Sequence, residues 1–196
     1  MKNNAARFSL ALALGVFAAT SASAGDIALV ATGAITHGGD DWQVARTGAG
    51  VPVLIHGGGR AAIGAGVLWQ SDQYPLATSL LANYHVDQSA GVNGDAKFRR
   101  MPLDAMVYYT GMQALRVGVG LSYAIAPTVD VTVDHTAQTI KFDNATGKAF
   151  EVGYQVSPSL WANLRLVSTK YTPKQSGNAA AADVSHLAVN LSYVFK

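Results

Sequence analysis

The chain has 196 residues, with 14 Lys+Arg against 12 Asp+Glu, 20 glycines, 13% charged residues and no cysteine. No disulfide framework or thiolate chemistry is therefore available, and a charge balance this even offers no basic face for nucleic acid. Sparse charge with abundant glycine fits a sheet that has a lipid-facing side, although composition alone leaves a soluble β-sandwich open.

The N-terminus has the three parts of a secretory leader. Lys2 and Arg7 make a positive start, Phe8 to Ala19 an apolar middle, and Ala22-Ser23-Ala24 a small-residue cleavage site before Gly25. The apolar run of about 12 residues is short of the roughly 20 that a membrane-spanning helix needs. Residues 1–24 are thus expected to be a cleaved signal peptide, and 25–196 a single domain. Removing Lys2 and Arg7 takes the basic count from 14 to 12, equal to the acidic count, so the mature chain is neutral.

Beyond the leader, alternation predicts eight strands at about 26–36, 60–71, 76–87, 97–110, 113–125, 148–157, 160–172 and 183–195. The first carries least pattern, because Ala28, Ala31, Gly33 and Ala34 are all small. The fifth is clear: Leu115, Val117, Val119, Leu121 and Tyr123 alternate with Arg116, Gly118, Gly120 and Ser122, which puts the two sets on opposite faces. The last repeats it, with Leu187, Val189, Leu191, Tyr193 and Phe195 against His186, Ala188, Asn190 and Ser192. Each stretch can cross a bilayer at a tilt, for which about 9 to 11 residues suffice.

The connections alternate in length. Ser71 to Pro75, Thr110-Gly111-Met112 and Ser157-Pro158-Ser159 are short, while about 37–59, 88–96, 126–147 and 173–182 are long. That rhythm predicts an all-β fold, an eight-stranded antiparallel up-and-down transmembrane β-barrel with both mature termini in the periplasm. In hydrocarbon an unpaired backbone group costs several kcal/mol, so the sheet must close. Eight strands leave an interior just wide enough to be filled by side chains, so the lumen is expected to be plugged or at most narrow.

Two luminal ion pairs are expected. A turn about Pro158 sets Glu151 opposite Arg165, and a turn near Gly111 brings Asp104 within a diagonal of Arg116. Their reading is structural, ordering the interior, with a gate or ion path as the alternative. Aromatic residues fall near strand ends as an interface belt requires: Trp69, Tyr109, Tyr154 and Phe195 at one end, Tyr84, Phe98, Tyr123 and Phe150 at the other. Trp161 and Tyr171 fall on the inward parity, which calls for a bulge or a position beyond the lipid.

Over Lys97 to Tyr171 the stretches Phe98-Arg99-Arg100-Met101-Pro102-Leu103-Asp104, Arg116-Val117-Gly118-Val119-Gly120-Leu121, Lys141-Phe142-Asp143-Asn144-Ala145-Thr146-Gly147 and Glu151-Val152-Gly153-Tyr154 look like those of small outer-membrane barrels. The chain resembles the eight-stranded barrels of the Gram-negative outer membrane, OmpA-like and OmpW-like in layout. The resemblance implies a location in the cell outer membrane among lipid and lipopolysaccharide. It also implies recognition of the closing strand, with Tyr193 and Phe195, by the barrel-assembly machinery. Lys196 follows the aromatic on which the family's pattern ends. The OmpW-like side implies a narrow or laterally opening path for small hydrophobic compounds.

An enzyme reading rests on Asp183, Ser185 and His186, and on His85, Asp87 and Ser89, whose spacing along the chain carries little weight for a triad. The pattern associated with lipid A deacylase barrels, a His followed two residues later by Ser, occurs at none of the five histidines. His37, Asp40, Asp41 and His56 in the first long link, and Asp134 and His135 in the third, lack compact ligand spacing, so no metal and no cofactor is expected. Gly57-Gly58-Gly59 before Arg60 lacks the Lys-Ser/Thr of a phosphate loop and is expected to be flexible. The expected role is non-enzymatic: a structural or surface-interaction barrel, alternatively a narrow porin-like channel. The apolar run Val51-Pro52-Val53-Leu54-Ile55 in the first link favours the channel slightly.

Overall fold

A computed structural model describes residues 25–46, 50, 52–91, 94–133, 135–174 and 181–195. The expected leader, Val51, Asp134 and Lys196 lie outside the described residues, as do the side chains of Val53, Leu54, Ile55, His56 and Ser89. Thirteen strands, and no helix, occur among the described residues.

Eight strands form the wall: β1 (Gly25–His37), β4 (Ala61–Ser71), β5 (Leu76–Gly91), β6 (Gly94–Met112), β7 (Leu115–Val133), β9 (Ala145–Ser157), β10 (Leu160–Ser168) and β13 (His186–Phe195). Each pairs antiparallel with its neighbours in that order, and β1 pairs with β13 to close the ring. These are the eight predicted strands. The weakly patterned first one is held by neighbours on both edges, with Ile27, Leu29 and Ile35 turned outward and Val30 inward. Closure removes every edge from the wall, which is what hydrocarbon demands.

The outer face is apolar over the height of the wall. Ile27, Leu29, Ile35, Ile63, Val119, Leu166, Val189 and Leu191 are all more than half exposed. So continuous an apolar band is far larger than a soluble monomer shows, and lipid is the solvent that suits it. The molecule is a membrane barrel.

The strands on one side run further than the alternation predicted. β5, β6 and β7 extend beyond the wall and are joined by β8 (Thr136–Lys141), inside the stretch 126–147 that reads as a loop. Ala126-Pro127 looks like a strand end, since proline cannot donate to a ladder. Here the chain bulges: Ala126 adopts φ 45, the register shifts between Arg99 and Met101, and Asn144 and Phe142 take up the local hydrogen bonds. Above the bulge the inward positions Ala96, Phe98, Val129 and Val131 pack with Phe142, Tyr171 and Val184 in an apolar core of their own. Phe98 is therefore a core residue rather than part of an interface belt, because it shares the inward parity of Arg100 and Asp104. Trp69 is also buried, whereas Tyr109, Tyr154, Phe195, Tyr84 and Phe150 are exposed and Tyr123 is half-buried.

β2 (Asp41–Arg46) and β3 (Pro52–His56) make a hairpin within the first long link. β11 (Lys170–Tyr171) and β12 (Ala182–Asp183) continue the β10–β13 side as a separate small pair.

The short turns set the register. Ser71 Oγ accepts from the Gln73 and Tyr74 N–H groups, each at 3.2 Å, and so closes the first. Pro158 and Ser159 connect Ser157 to Leu160, giving Glu151 opposite Arg165. The turn near Gly111 departs from expectation. Met112 pairs with Leu115, the turn is Gln113-Ala114, and Ala114 takes a left-handed φ of 56. Asp104 consequently opposes Ser122, well removed from Arg116, and the expected Asp104–Arg116 diagonal does not form.

Candidate functional site in the barrel interior

Inward positions of six strands build a charged layer in the lower half of the lumen, nearer the short turns. Glu151 is fully buried and accepts from Arg165 Nε at 2.6 Å, Arg116 Nη2 at 3.4 Å and Asn190 Nδ2 at 3.4 Å. Arg165 Nη1 reaches Asp104 Oδ2 at 2.6 Å, where Asn83 Nδ2 also donates at 2.9 Å. Arg116 Nη2 donates to Asn163 Oδ1 at 2.9 Å, and Asn163 passes on to Asn190 and Ser192. Two guanidinium groups thus meet two carboxylates. Buried charge is tolerated when it is paired, and this layer pairs all four charges, although Asp104 Oδ1 and Arg116 Nε have no hydrogen-bond partner among the described residues.

All four charged residues expected to face the lumen are in this layer; Glu151 and Arg165 meet, while in place of the Asp104–Arg116 pair Asp104 takes Arg165 and Arg116 takes Glu151. Aromatic rings complete it. The Arg116 guanidinium lies 4.4 Å from the Tyr108 ring centre and 4.5 Å from that of Trp161, a cation between two π faces. Trp161 is thus inward, as its parity demands, next to the register shift between Leu160 and Trp161. Below this layer a vestibule of about 650 Å³ opens toward the short turns, with Gln70, Thr110 and Gln155 on its walls and Arg116 and Trp161 at its roof.

A second layer closes the upper end. Arg100, 2% exposed, pairs in register with His85 and donates to its Nδ1 from Nε at 3.0 Å and Nη2 at 2.7 Å. Nδ1 is therefore an acceptor, the ring proton sits on Nε2, and Nε2–H donates to Thr36 Oγ1 at 2.8 Å. Arg100 also donates to Tyr171 OH at 3.1 Å and to the carbonyls of Gly57 and Gly58 at 3.4 and 3.1 Å. The Phe98 and Tyr171 rings flank it, and His186 meets His85 edge-on at 5.1 Å. Tyr171 is inward and beyond the β10 wall strand, in keeping with its parity.

The Gly57-Gly58-Gly59 run belongs to this layer and is not the free loop its composition indicates. All three residues are buried, and Gly58 N–H donates to Gly38 O at 2.9 Å. Gly59 has φ +74, and a Cβ there would lie 2.5 Å from His85 Nε2. Glycine is what lets the backbone fold so closely over the imidazole and Arg100.

Between the layers remains a cavity of about 50 Å³, bordered by Arg100, His85 and His186 above and by Asp104 and Arg165 below. Asp104 Oδ1 and Thr169 Oγ1 border it, buried and with no hydrogen-bond partner among the described residues. That is room for a few waters and little more.

Of the enzyme reading's two sets, that of His85, Asp87 and Ser89 includes a side chain outside the described residues, and Asp183, Ser185 and His186 do not assemble as a triad. Asp183 Oδ1 accepts from Ser185 N–H at 2.8 Å, Ser185 Oγ accepts from Thr169 N–H at 3.2 Å, and His186 Nδ1 lies 3.0 Å from Val184 O. Among the described residues no hydrogen bond joins Ser185 Oγ to His186. Among them, too, no group of three His, Asp or Glu is disposed to hold a metal ion.

Arg100, His85, Tyr171 and the Asn163–Asn190 pair escape a reading of charge pairs along the chain. Arg100 nonetheless shares the inward parity of Asp104 on β6, and parity was the signal that could have found it.

No protein-family model matches the sequence, and no curated protein matches it either. Solved structures do resemble the fold. The chain is similar to Neisserial surface protein A, with a TM-score of 0.55 and 11% identity over 88% of this chain and 100% of that one. It is also similar to Ail, the attachment invasion locus protein of Yersinia pestis, with a TM-score of 0.56 and 7% identity over 87% and 99%. A major outer membrane protein from Thermus thermophilus gives 0.53 and 11% over 86% and 99%. At such identities the likeness is one of architecture: a small closed eight-stranded antiparallel barrel of the outer-membrane type.

Proposed function

We propose that this protein is an outer-membrane barrel, exported by a cleaved leader, whose work is done at its outer surface: a sealed anchor that holds a structured platform above the lipid. In this reading the short turns and both mature termini face the periplasm. The observation that carries it is the double closure of the lumen, by Arg116, Glu151, Arg165 and Asp104 below and by Arg100, His85 and the Gly57–Gly59 backbone above. The β6–β7–β8 extension with its own apolar core supports the platform, since a barrel that served only as a conduit would have no use for it. Lipopolysaccharide around the wall is the natural neighbour. The exposed Tyr193 and Phe195 rings, 4.9 Å apart on the closing strand, support recognition by the barrel-assembly machinery. Single-channel recording of the refolded protein tests the reading: silence is expected, and steady openings of the wild-type protein would overturn it.

One observation favours a second reading, a narrow path for small hydrophobic molecules. His186 borders both the interior cavity and an apolar recess on the outside of the wall. Uptake of a small apolar dye into proteoliposomes, faster with the protein than without, would favour this path over the sealed anchor.

A further inference from the structure

The wall carries one feature that the sealed anchor does not require. Where β9, β10 and β13 approach the upper rim, a recess of about 540 Å³ lies on the outside, with Phe150, Leu166 and Leu187 on its lower side and Ser168 and Ser185 above. This volume is within the roughly 300–1,000 Å³ of ordinary ligand sites. Lys148 stands beside it. It pairs in register with Ser168 and Leu121, one alternation above the Phe150–Leu166 pair, and is exposed on the lipid-facing parity.

A cation on the lipid side of a barrel is costly at mid-bilayer and tolerated near the interface, so Lys148 marks the level where hydrocarbon gives way to headgroups. Lys148 makes no ion pair among the described residues, and no acid lines the recess. Of the acids near it along the chain, Glu151 faces the lumen and accepts from Arg165 and Arg116, Asp40 Oδ2 accepts from Asp183 N–H, and Asp183 Oδ1 from Ser185 N–H. An unpaired ammonium at headgroup depth beside an apolar hollow matches an anionic headgroup joined to an acyl chain.

We propose that this recess seats one phosphorylated, acylated lipid of the outer leaflet, with its chain against Phe150, Leu166 and Leu187 and its phosphate on Lys148. The inference rests on the reading that places the long links outside the cell. The lipid is a boundary ligand that fixes the rotation and depth of the barrel beneath its platform.

Native mass spectrometry of the refolded protein in zwitterionic micelles, with diphosphorylated lipid A as the probe, tests this. The wild-type protein should retain one lipid A, and Lys148→Gln should bind it about fivefold more weakly, the ratio expected for one basic side chain at an anionic surface. Leu187→Trp, which fills the recess without changing charge, should also weaken binding, while Lys141→Gln on exposed β8 should bind as wild type. Binding by Lys148→Gln equal to wild type, equal loss in Lys141→Gln, or equal affinity for dephosphorylated lipid A would overturn the proposal. Heat-modifiable migration of each variant reports the closed barrel. Lys148-independent binding by a folded barrel therefore removes this site alone, whereas channel openings remove the sealed-anchor reading alone.

Discussion

Arg165 on β10 reaches Asp104 on β6 across the lumen, Nη1 to Oδ2 at 2.6 Å, although β7 and β9 stand between them in the wall. Its Nε holds Glu151 at the same time. One guanidinium thus ties opposite parts of the cylinder together and neutralises two carboxylates with the help of Arg116. Truncating a buried charge leaves its partners unpaired, at a cost of about 3–5 kcal/mol. Arg165→Met should therefore lower stability by about that amount, read as the urea midpoint of the loss of heat-modifiable migration. A change below about 1 kcal/mol would mean that water enters the layer and screens it.

Gly59 tests the upper layer. Its left-handed φ costs a residue with a Cβ about 1–2 kcal/mol. At +74 that Cβ would also press on His85 Nε2 at 2.5 Å, where the ring proton is donated to Thr36. Gly59→Ala should push the Gly57–Gly59 backbone off Arg100 and speed exchange of the Gly58 amide proton, which is bonded to Gly38 O. The exchange rate of amides in the lower wall, such as that of Leu164, should not change.

How much of this was visible in the chain depends on which turn is considered. Strand parity placed Glu151, Arg165, Asp104 and Arg116 inside, and the Pro158 turn allowed the Glu151–Arg165 contact to be foreseen in register. The other hairpin hid its register because its turn uses Ala114 at φ 56, a conformation that alanine does not advertise and that neighbouring Gly111 is better suited to supply. The moved turn sent Asp104 to Arg165. Arg100 and His85 meet as cross-strand partners of one hairpin, but Tyr171 and Gly58 come from a distant strand and a long link that only the closed barrel brings to them. The β7–β8 extension was obscured by Ala126-Pro127, which a bulge accommodates.

The β12 rim has a simple pH response. Hydrogen bonds from Ser185 hold the Asp183 carboxyl below the usual carboxylate range. A group whose folded pKa lies below its unfolded one stabilises the fold above the unfolded value, and that contribution is lost as pH falls through the folded pKa. The Asp183–Ser185 turn should accordingly be closed at neutral pH and open progressively below about pH 4. NMR exchange of the Ser185 amide should show the acid-side acceleration, and Asp183→Asn should flatten it. Acceleration toward high pH beyond the intrinsic base-catalysed rate would contradict this sign.

The two layers of the lumen act in series, and that has a consequence neither has alone. Conduction needs a continuous water column, and the cavity of about 50 Å³ between the layers is bounded above and below. Arg116→Ala removes the guanidinium between Tyr108 and Trp161 and extends the lower vestibule toward the Arg165–Asp104 floor of that cavity, yet Arg100 and the glycine backbone still close the top. Arg100→Ala opens the top and leaves the lower network in place. Each single variant should stay silent in planar bilayers, as should Glu151→Gln, which keeps its volume. Arg100→Ala combined with Arg116→Ala should give steady openings, provided heat-modifiable migration confirms a folded barrel. If either single variant conducts as well as the pair, the layers are not independent barriers, and a single gate within the Glu151 network becomes the better description of the lumen.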